Sequence, residues 1–314
     1  MIDVLMAVYN NADFISAQLQ SLIDQSYSNF RIIIRDDSST DDSVLLIEEF
    51  SLKHPGKIVL IRGSENLGAS GNFSALMQEA SAHYIMFCDA DDIWLPEKIE
   101  QSLALMKENE RVHGVGIPLL IHGDLFVVDK SLKLLDSSFW KYAGMHSGHA
   151  GFFNRMLVQN VVTGCTMLIN RSLLELACPI PERAIMHDWW IALVASAFGK
   201  IDCVVNPLIL YRQHEKNSIG ARRGRGPLAI WNFARRLCSV EGRNQLRGNL
   251  LKTMKQAAIF LERYGNGLTA DQKKMVLNYA NFPILTGWKK RYLCLRYRYF
   301  KSTFAKTCGF FLLM

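Results

Sequence analysis

Asp89-Ala90-Asp91 ends an apolar run, Tyr84 to Cys88, and places two carboxylates two residues apart where the pattern predicts the end of a strand. Hard divalent cations take oxygen ligands and share their coordination with substrate phosphates, and a short carboxylate cluster at a strand end supports both. The same triplet also suits a solvated turn, or a helix cap ahead of Pro96. Other stretches carry side chains of comparable capacity. Asp36-Asp37-Ser38-Ser39-Thr40 follows another apolar run and doubles as turn chemistry that caps the next helix. His187-Asp188-Trp189-Trp190 opens a helical pattern, where exposed N–H groups and the helix dipole favour a carboxylate; taken alone, such an Asp is an ordinary structural cap. In Tyr211-Arg212-Gln213-His214 a guanidinium is available to neutralise a diphosphate and an imidazole to complete a metal shell, or the histidine simply orders a loop.

The elements that must position these groups follow from periodicity. Ile2 to Tyr9 is a short apolar run ending at Asn10-Asn11, followed by a helical pattern from Phe14 to Gln25. The unit recurs as strand Phe30 to Arg35 with helix Asp41 to Leu52, strand Lys57 to Arg62 with helix Gly71 to Ala82, and strand Tyr84 to Cys88. Strands alternating with helices predict an α/β, doubly wound, mostly parallel sheet, in which ligands bind at the carboxyl ends of the strands. The polar clusters stand at those ends. Further strands are expected between Gly114 and Leu135, a Gly/His/Ser-rich loop over Asp136 to Asn154, and a strand Val161 to Asn170 interrupted by Gly164. Beyond these come a helix from near Arg171, an irregular stretch Pro179 to Met186, a helix His187 to Phe198 and a last strand Val204 to Tyr211. Gly220 to Pro227, with Arg222, Arg223 and Arg225 among glycines, has the composition of a basic linker, and helices follow over Leu228 to Tyr264 and Ala270 to Asn281.

The chain has 314 residues, 49% hydrophobic and 21% charged, which excludes disorder and repeats of the collagen type. Its net charge of +7 is unevenly spread: residues 1–211 carry −10 and residues 212–314 carry +17. The basic end interleaves aromatics with cations in Trp288-Lys289-Lys290-Arg291-Tyr292 and Arg296 to Lys301, and closes on Phe310-Phe311-Leu312-Leu313. Such segments lie in the headgroup region of anionic membranes; they also suit an ordinary helical subdomain with a solvated basic face. The seven cysteines form no C-x-x-C pair and are expected to be reduced and structural. No apolar stretch approaches the ~20 residues that span a bilayer, and no leader pattern opens the chain, so the expected location is cytoplasmic, peripheral on the inner face of the cell membrane.

Taken together, MAVYN, RDDSSTDDS, ENLGASGNF, FCDADDIWLP and IMHDWW resemble, in order and spacing, the family 2 glycosyltransferases with the GT-A fold. The resemblance covers roughly residues 2–220 and, through NVVTGCTMLIN, MHDWW and LYRQHEKNSIGAR, extends to bacterial rhamnosyltransferases of cell-wall and O-antigen polysaccharides. It implies a catalytic domain over 1–220 and a helical C-terminal region over 221–314. It implies a nucleotide base against Ala7 and Tyr9, with Asn10 beside them and Asp37 accepting the imide proton of uracil or thymine. Asp89 is then expected near the ribose, Asn66 in the N-x-G loop next to the nucleotide, Arg212 at the diphosphate, and Asp91 and His214 on a bridging Mn²⁺ or Mg²⁺. Asp188 is the implied general base of an inverting displacement. Ser38 stands where the family usually has glycine, and Arg35 precedes the Asp pair; both alter the turn rather than the role.

The implied reaction moves a sugar, L-rhamnose from dTDP-β-L-rhamnose or a sugar from UDP, onto a glycan acceptor carried on polyprenyl diphosphate. A non-catalytic nucleotide-sugar-binding protein is the alternative. Nothing in the first 220 residues supports a nucleic-acid partner for the basic tail.

Overall fold

The computed structural model describes residues 1–145, 152–215, 224, 227–302 and 304–313. The basic segment holding Arg222, Arg223 and Arg225, and part of the loop expected between Asp136 and Asn154, lie outside the described residues.

The chain opens with β1 (Ile2–Val8), α1 (Ile15–Ile23), β2 (Phe30–Asp36), α2 (Ser43–Lys53), β3 (Ile58–Arg62), α3 (Gly68–Glu79) and β4 (Tyr84–Asp89). Then follow β5 (Ile93–Trp94), α4 (Lys98–His113), β6 (Leu119–Gly123), β7 (Phe126–Val128), β8 (Leu134–Asp136), α5 (Phe139–Ala143), α6 (Phe153–Met156), β9 (Leu168–Asn170), α7 (Arg171–Ala177), α8 (His187–Phe198), β10 (Lys200–Val204) and β11 (Ile209–Arg212). The rest is helical: α9 (Pro227–Cys238), α10 (Val240–Tyr264), α11 (Ala270–Ala280), α12 (Gly287–Tyr297) and α13 (Phe304–Leu313).

A seven-stranded sheet of order β10-β6-β9-β4-β1-β2-β3 forms the centre, parallel except for β9, which runs antiparallel to both neighbours. β1 is buried on both faces, as a central strand sandwiched by helices requires. Its register fixes the site: Ala7 pairs with Asp89 of β4 and Val8 with Asp36 of β2, so the polar clusters after these strands emerge at one level on one sheet edge. A second sheet, β5-β11-β7-β8, carries Arg212 to the same end through the pairing of β11 with β5, just after Asp89 to Asp92.

Several expected elements differ. The predicted last strand, Val204 to Tyr211, is two strands in two sheets. Asn206-Pro207 separates them, because proline has no N–H for a ladder and restricts the residue before it. The interrupted strand at Val161 to Asn170 keeps only β9, with Gly164–Thr166 forming one 3-10 turn that brings Gly164 against His187. The long helix from Leu228 to Tyr264 breaks at Ser239, whose Oγ accepts the Gly242 N–H at 3.1 Å and caps α10.

The C-terminal helices share a core with the sheet. Met254, Ala257, Phe260 and Tyr264 of α10 belong to the same buried cluster as Leu173, Ile191 and Trp190. The Trp190 ring lies 5.7 Å from Phe260 and 5.9 Å from Tyr264, centroid to centroid. Asn154 Nδ2 donates to the carbonyls of Tyr297 and Arg298, and Gln159 and Ser302 exchange hydrogen bonds at 3.0 Å, so the end of the chain is tied to the segment that carries α6.

Candidate active site

Above the carboxyl ends of β1, β2 and β4 opens a cleft of about 570 Å³, within the size range of small-ligand sites. The loop after β1 forms one lip. Ala7 and Tyr9 line the cleft, and the Tyr9 ring is half exposed and free to meet a flat ligand. Asn10 turns the other way: its Oδ1 accepts the Thr40 N–H at 2.8 Å, and its φ of 53° lets the chain leave the strand sharply. It therefore stands behind the lip and shapes it.

Asp37 is almost fully buried at the cleft wall. Its carboxylate accepts from Arg35 at 2.5 Å and from the N–H groups of Leu67 and Gly68 at 2.9 Å each. Asn72 shares the same Nη1 of that guanidinium, accepting from it at 3.1 Å and donating to the Arg35 carbonyl. Asn66 Oδ1 accepts the Gly68 N–H at 3.0 Å. Arg35, which departs from the family pattern, thus supplies the ion-pair partner that fixes Asp37 to the 66–72 loop. These contacts hold the Asp37 carboxylate in place where it lines the cleft.

At the end of β4, Asp89 and Asp91 line the cleft floor. Asp91 Oδ2 is 2.9 Å from His214 Nε2, and the imidazole stacks on Phe14 with ring centroids 4.4 Å apart. Arg212 is buried beside them, and its guanidinium reaches two backbone carbonyls: Nε donates to that of Asp91 at 2.8 Å and Nη1 to that of Lys130 at 2.7 Å. Its backbone N–H donates to Asp92. Arg212 orders the Asp91 turn in this arrangement, and neither it nor His214 lines the cleft directly.

Beneath this floor Asp92 is completely buried, and burial holds its carboxyl well above the usual range, followed by repulsion from Asp91 and Asp89. The Cys165 thiol lies beside the carboxyls of Asp92 and Asp89, and their charge adds to the effect of burial on it. The ligating atoms of Asp89, Asp92 and Cys165 fall within 4.8 Å of one another. Burial pushes the Cys165 thiol far up, with the charges of Asp92 and Asp89 adding to it, so in this arrangement the thiol is protonated. The residue was expected to be simple filler; a buried thiol next to Gly164 carries no sequence signal of such a contact.

The far wall is built by the 160–164 segment and the first turn of α8. Asp188 occupies the second position of that helix. Its Oδ1 accepts the Trp189 N–H at 2.5 Å, and the neighbouring Gly164 N–H and Asn160 amide favour its charged form. Burial nevertheless prevails and raises its carboxyl to about 7. The charge of Asp188 is felt at Asp89, which burial raises first and Asp91 and Asp188 raise further. The D-x-D end of β4 and the α8 carboxylate, more than ninety residues apart in sequence, therefore share one cleft. The oxygen and imidazole donors of Asp91 and His214 suit a hard or borderline divalent ion.

His187 sits in the same wall, with its ring 4.1 Å from Phe73 and 5.7 Å from Phe87. Both ring nitrogens are buried without a hydrogen-bond partner among the described residues, and burial lowers its pKa to about 3, so the ring is neutral. A Cβ on Gly164 would fall 3.0 Å from His187 Nε2 and 3.5 Å from Asp188 Cβ, which explains why glycine stands there. Of the paired tryptophans, Trp189 is half-buried at the cleft and donates its indole N–H to the Met156 carbonyl at 2.6 Å, whereas Trp190 is core.

Residues 3–176, more than half of the chain, match the description of glycosyl transferase family 2. The chain belongs to that family. It is 30% identical over 233 residues to the dTDP-rhamnosyl transferase RfbG of Shigella flexneri, an alignment covering 69% of this chain and 74% of RfbG. Solved structures agree on a GT-A fold. TarS of S. aureus in complex with UDP-GlcNAc superposes with a TM-score of 0.57 at 14% identity, covering 99% of this chain and 90% of that one. The mannosyltransferase PcManGT of Pyrobaculum calidifontis, in complex with GDP-Man and Mn²⁺, gives 0.53 at 14% identity, covering 99% and 85%. This family 2 glycosyltransferase carries Asp188, Arg212 and His214 beyond the stretch matched by the family description.

Proposed function

We propose that this glycosyltransferase uses a divalent cation and inverts the donor's anomeric centre, moving L-rhamnose from dTDP-β-L-rhamnose onto a glycan carried on polyprenyl diphosphate, with its basic C-terminal region against the inner face of the membrane. The observation that carries the reaction class is the convergence of Asp91, Asp89 and Asp188 on one cleft, with charges close enough to be felt between them. The donor base stacks on Tyr9 and gives its ring N–H to Asp37. The diphosphate lies over the end of β4. Asp91 and His214 would hold a Mn²⁺ or Mg²⁺, which would supply Lewis acidity toward the departing nucleoside diphosphate. Arg212 orders the Asp91 turn from behind rather than touching phosphate.

Asp188 takes the proton from the acceptor hydroxyl as that oxygen attacks the anomeric carbon from the side opposite the diphosphate. A carboxyl raised to about 7 by burial is matched to that work near neutral pH. The half-buried face of Trp189 offers an apolar platform for the acceptor sugar. Rhamnose as the donor sugar is supported by the relationship to RfbG; a UDP-sugar is the second reading, favoured by the likeness to TarS, whose complex holds UDP-GlcNAc.

The test is isothermal calorimetry of purified protein with dTDP-rhamnose, UDP-glucose, UDP-GlcNAc and GDP-mannose, each with and without Mn²⁺. Tight, cation-dependent binding confined to dTDP-rhamnose is expected. Preference for a UDP-sugar would replace the donor assignment, and binding of none would reject the nucleotide-sugar site.

A further inference from the structure

The helix α12 buries one side and leaves an unusual surface on the other. Cys294 is fully buried against the core, and Tyr297 and Leu293 are partly so. On the opposite side Trp288, Tyr292 and Leu295 are 68%, 59% and 63% exposed. Their spacing, i, i+4 and i+7, aligns them on one face of the helix. Lys289 and Arg296 border this stripe on one flank and Arg291 on the other, all exposed. Just before the helix, Ile284 is 82% exposed. From Phe282 to the end of the sequence there is no Asp or Glu, against seven Lys and Arg. A solvated helix face would carry charges at the stripe positions; here rings and a leucine face outward and cations rim them.

We infer that this outward face of α12 docks the enzyme on an anionic lipid surface, with Trp288, Tyr292 and Leu295 at headgroup depth and Lys289, Arg291 and Arg296 against lipid phosphates. The inference rests on the reading of the chain as acting on a lipid-linked acceptor and assigns that role to one helix face. The chemistry is that of interfacial helices, where aromatic rings anchor and cations add salt-sensitive attraction. The face is also connected to the acceptor side of the cleft. The carbonyls of Tyr297 and Arg298 at the end of α12 bind Asn154 in α6, and Met156 at the end of α6 accepts the Trp189 indole N–H. A lipid-borne acceptor would be met by a docked α12 and the Trp189 wall as parts of one packed unit. No helix among the described residues is long and apolar enough to cross a membrane, so such a face is the kind of contact a carrier in a bilayer requires.

Vesicle sedimentation of the full chain tests this, with vesicles of phosphatidylethanolamine and phosphatidylglycerol against vesicles of pure phosphatidylcholine. The variant combining W288A, Y292A and L295A is expected to partition about tenfold more weakly onto the anionic vesicles. The variant combining K289Q, R291Q and R296Q should lose the preference for anionic over neutral lipid, along with the decline in binding between low and high salt. Both should keep the wild-type melting temperature and nucleoside diphosphate affinity, since every altered side chain is exposed or rims the exposed stripe. Vesicle binding by the triple apolar variant equal to wild type overturns the inference, as does absence of wild-type binding to anionic vesicles. A wild-type dimer that the apolar variant converts to monomer, without loss of lipid binding, overturns it in favour of a self-association surface. Selective binding of single-stranded nucleic acid in place of lipid overturns it too. If no nucleotide-sugar binds while vesicle docking behaves as described, the functional reading fails and the docking face stands.

Discussion

Replacing Asp188 with Asn removes the proposed base while disturbing the cleft little, because the amide oxygen can still accept the Trp189 N–H that holds the carboxylate in place. Two consequences follow from the burial that raises this carboxyl to about 7. First, the wild-type enzyme at pH 6 has about one-tenth of Asp188 ionised and at pH 8 about nine-tenths, so kcat/KM should rise about tenfold across that range. Asp188→Asn should lower the rate by about 10²–10⁴ and flatten that rise. Donor affinity should change little.

Second, the folded state binds the Asp188 proton more strongly than the unfolded state. Between the ordinary carboxyl value of 3.8 and about 7 the native protein holds more protons, and wild-type stability falls as pH rises through that window. Asp188→Asn lacks this contribution, so its melting temperature, measured without cation, should gain on that of wild type from pH 4 to pH 7 and then stay level. The assay pairs a coupled nucleoside diphosphate release measurement with scanning calorimetry on the same samples. A variant that keeps the wild-type rate and the same rise with pH would refute the base assignment. A variant that is inactive but retains the wild-type dependence of melting temperature on pH would refute the account of the raised carboxyl.

The cation site is tested by Asp91→Asn and His214→Gln, each expected to abolish most of the upward shift in melting temperature that Mn²⁺ gives the wild type; an unchanged Mn²⁺ titration in both would exclude the pair as ligands. Gly164→Ala sets a methyl group 3.0 Å from His187 Nε2, against a ring wedged by Phe73 and Phe87, and should cost about 1–3 kcal/mol in urea unfolding as well as most of the activity. Trp190→Ala should cost about 3–5 kcal/mol by the same measurement, because the ring is fully buried between α8 and α10. A loss below 1 kcal/mol would mean that α10 does not share the catalytic core.

The strands and helices of the first ninety residues were legible because each is a short, strongly periodic piece bounded by polar turn residues, and the ends of β1, β2 and β4 announced the cleft through Tyr9, Asp37 and Asp89. What sequence spacing could not supply was direction. Asn10, Asp37 and Arg212 stand in the expected places, yet Asn10 faces the Thr40 turn, Asp37 is engaged by Arg35 and the 67–68 amides, and Arg212 by backbone carbonyls. Side-chain hydrogen bonds of this kind join residues far apart in sequence. The same reason hid Cys165, whose partners lie on another strand end. Composition hid α4 instead: its stripe of Ile99, Leu103 and Met106 is narrow and lies amid a largely charged segment. The strand boundary at Pro207 was readable from proline chemistry, but the apolar residues on both sides of Asn206-Pro207 outweighed it in the pattern.

The sharing of one core between α10 and the sheet has a practical side. Deleting the basic tail to obtain a minimal catalyst would strip the cover from Trp190 and unpick the Asn154 and Gln159 clasps, and the fragment would expose a greasy scar. Evolution cannot exchange this helical part like a cassette. Drift in its residues is answerable, through a few shared side chains, to the wall that holds Asp188.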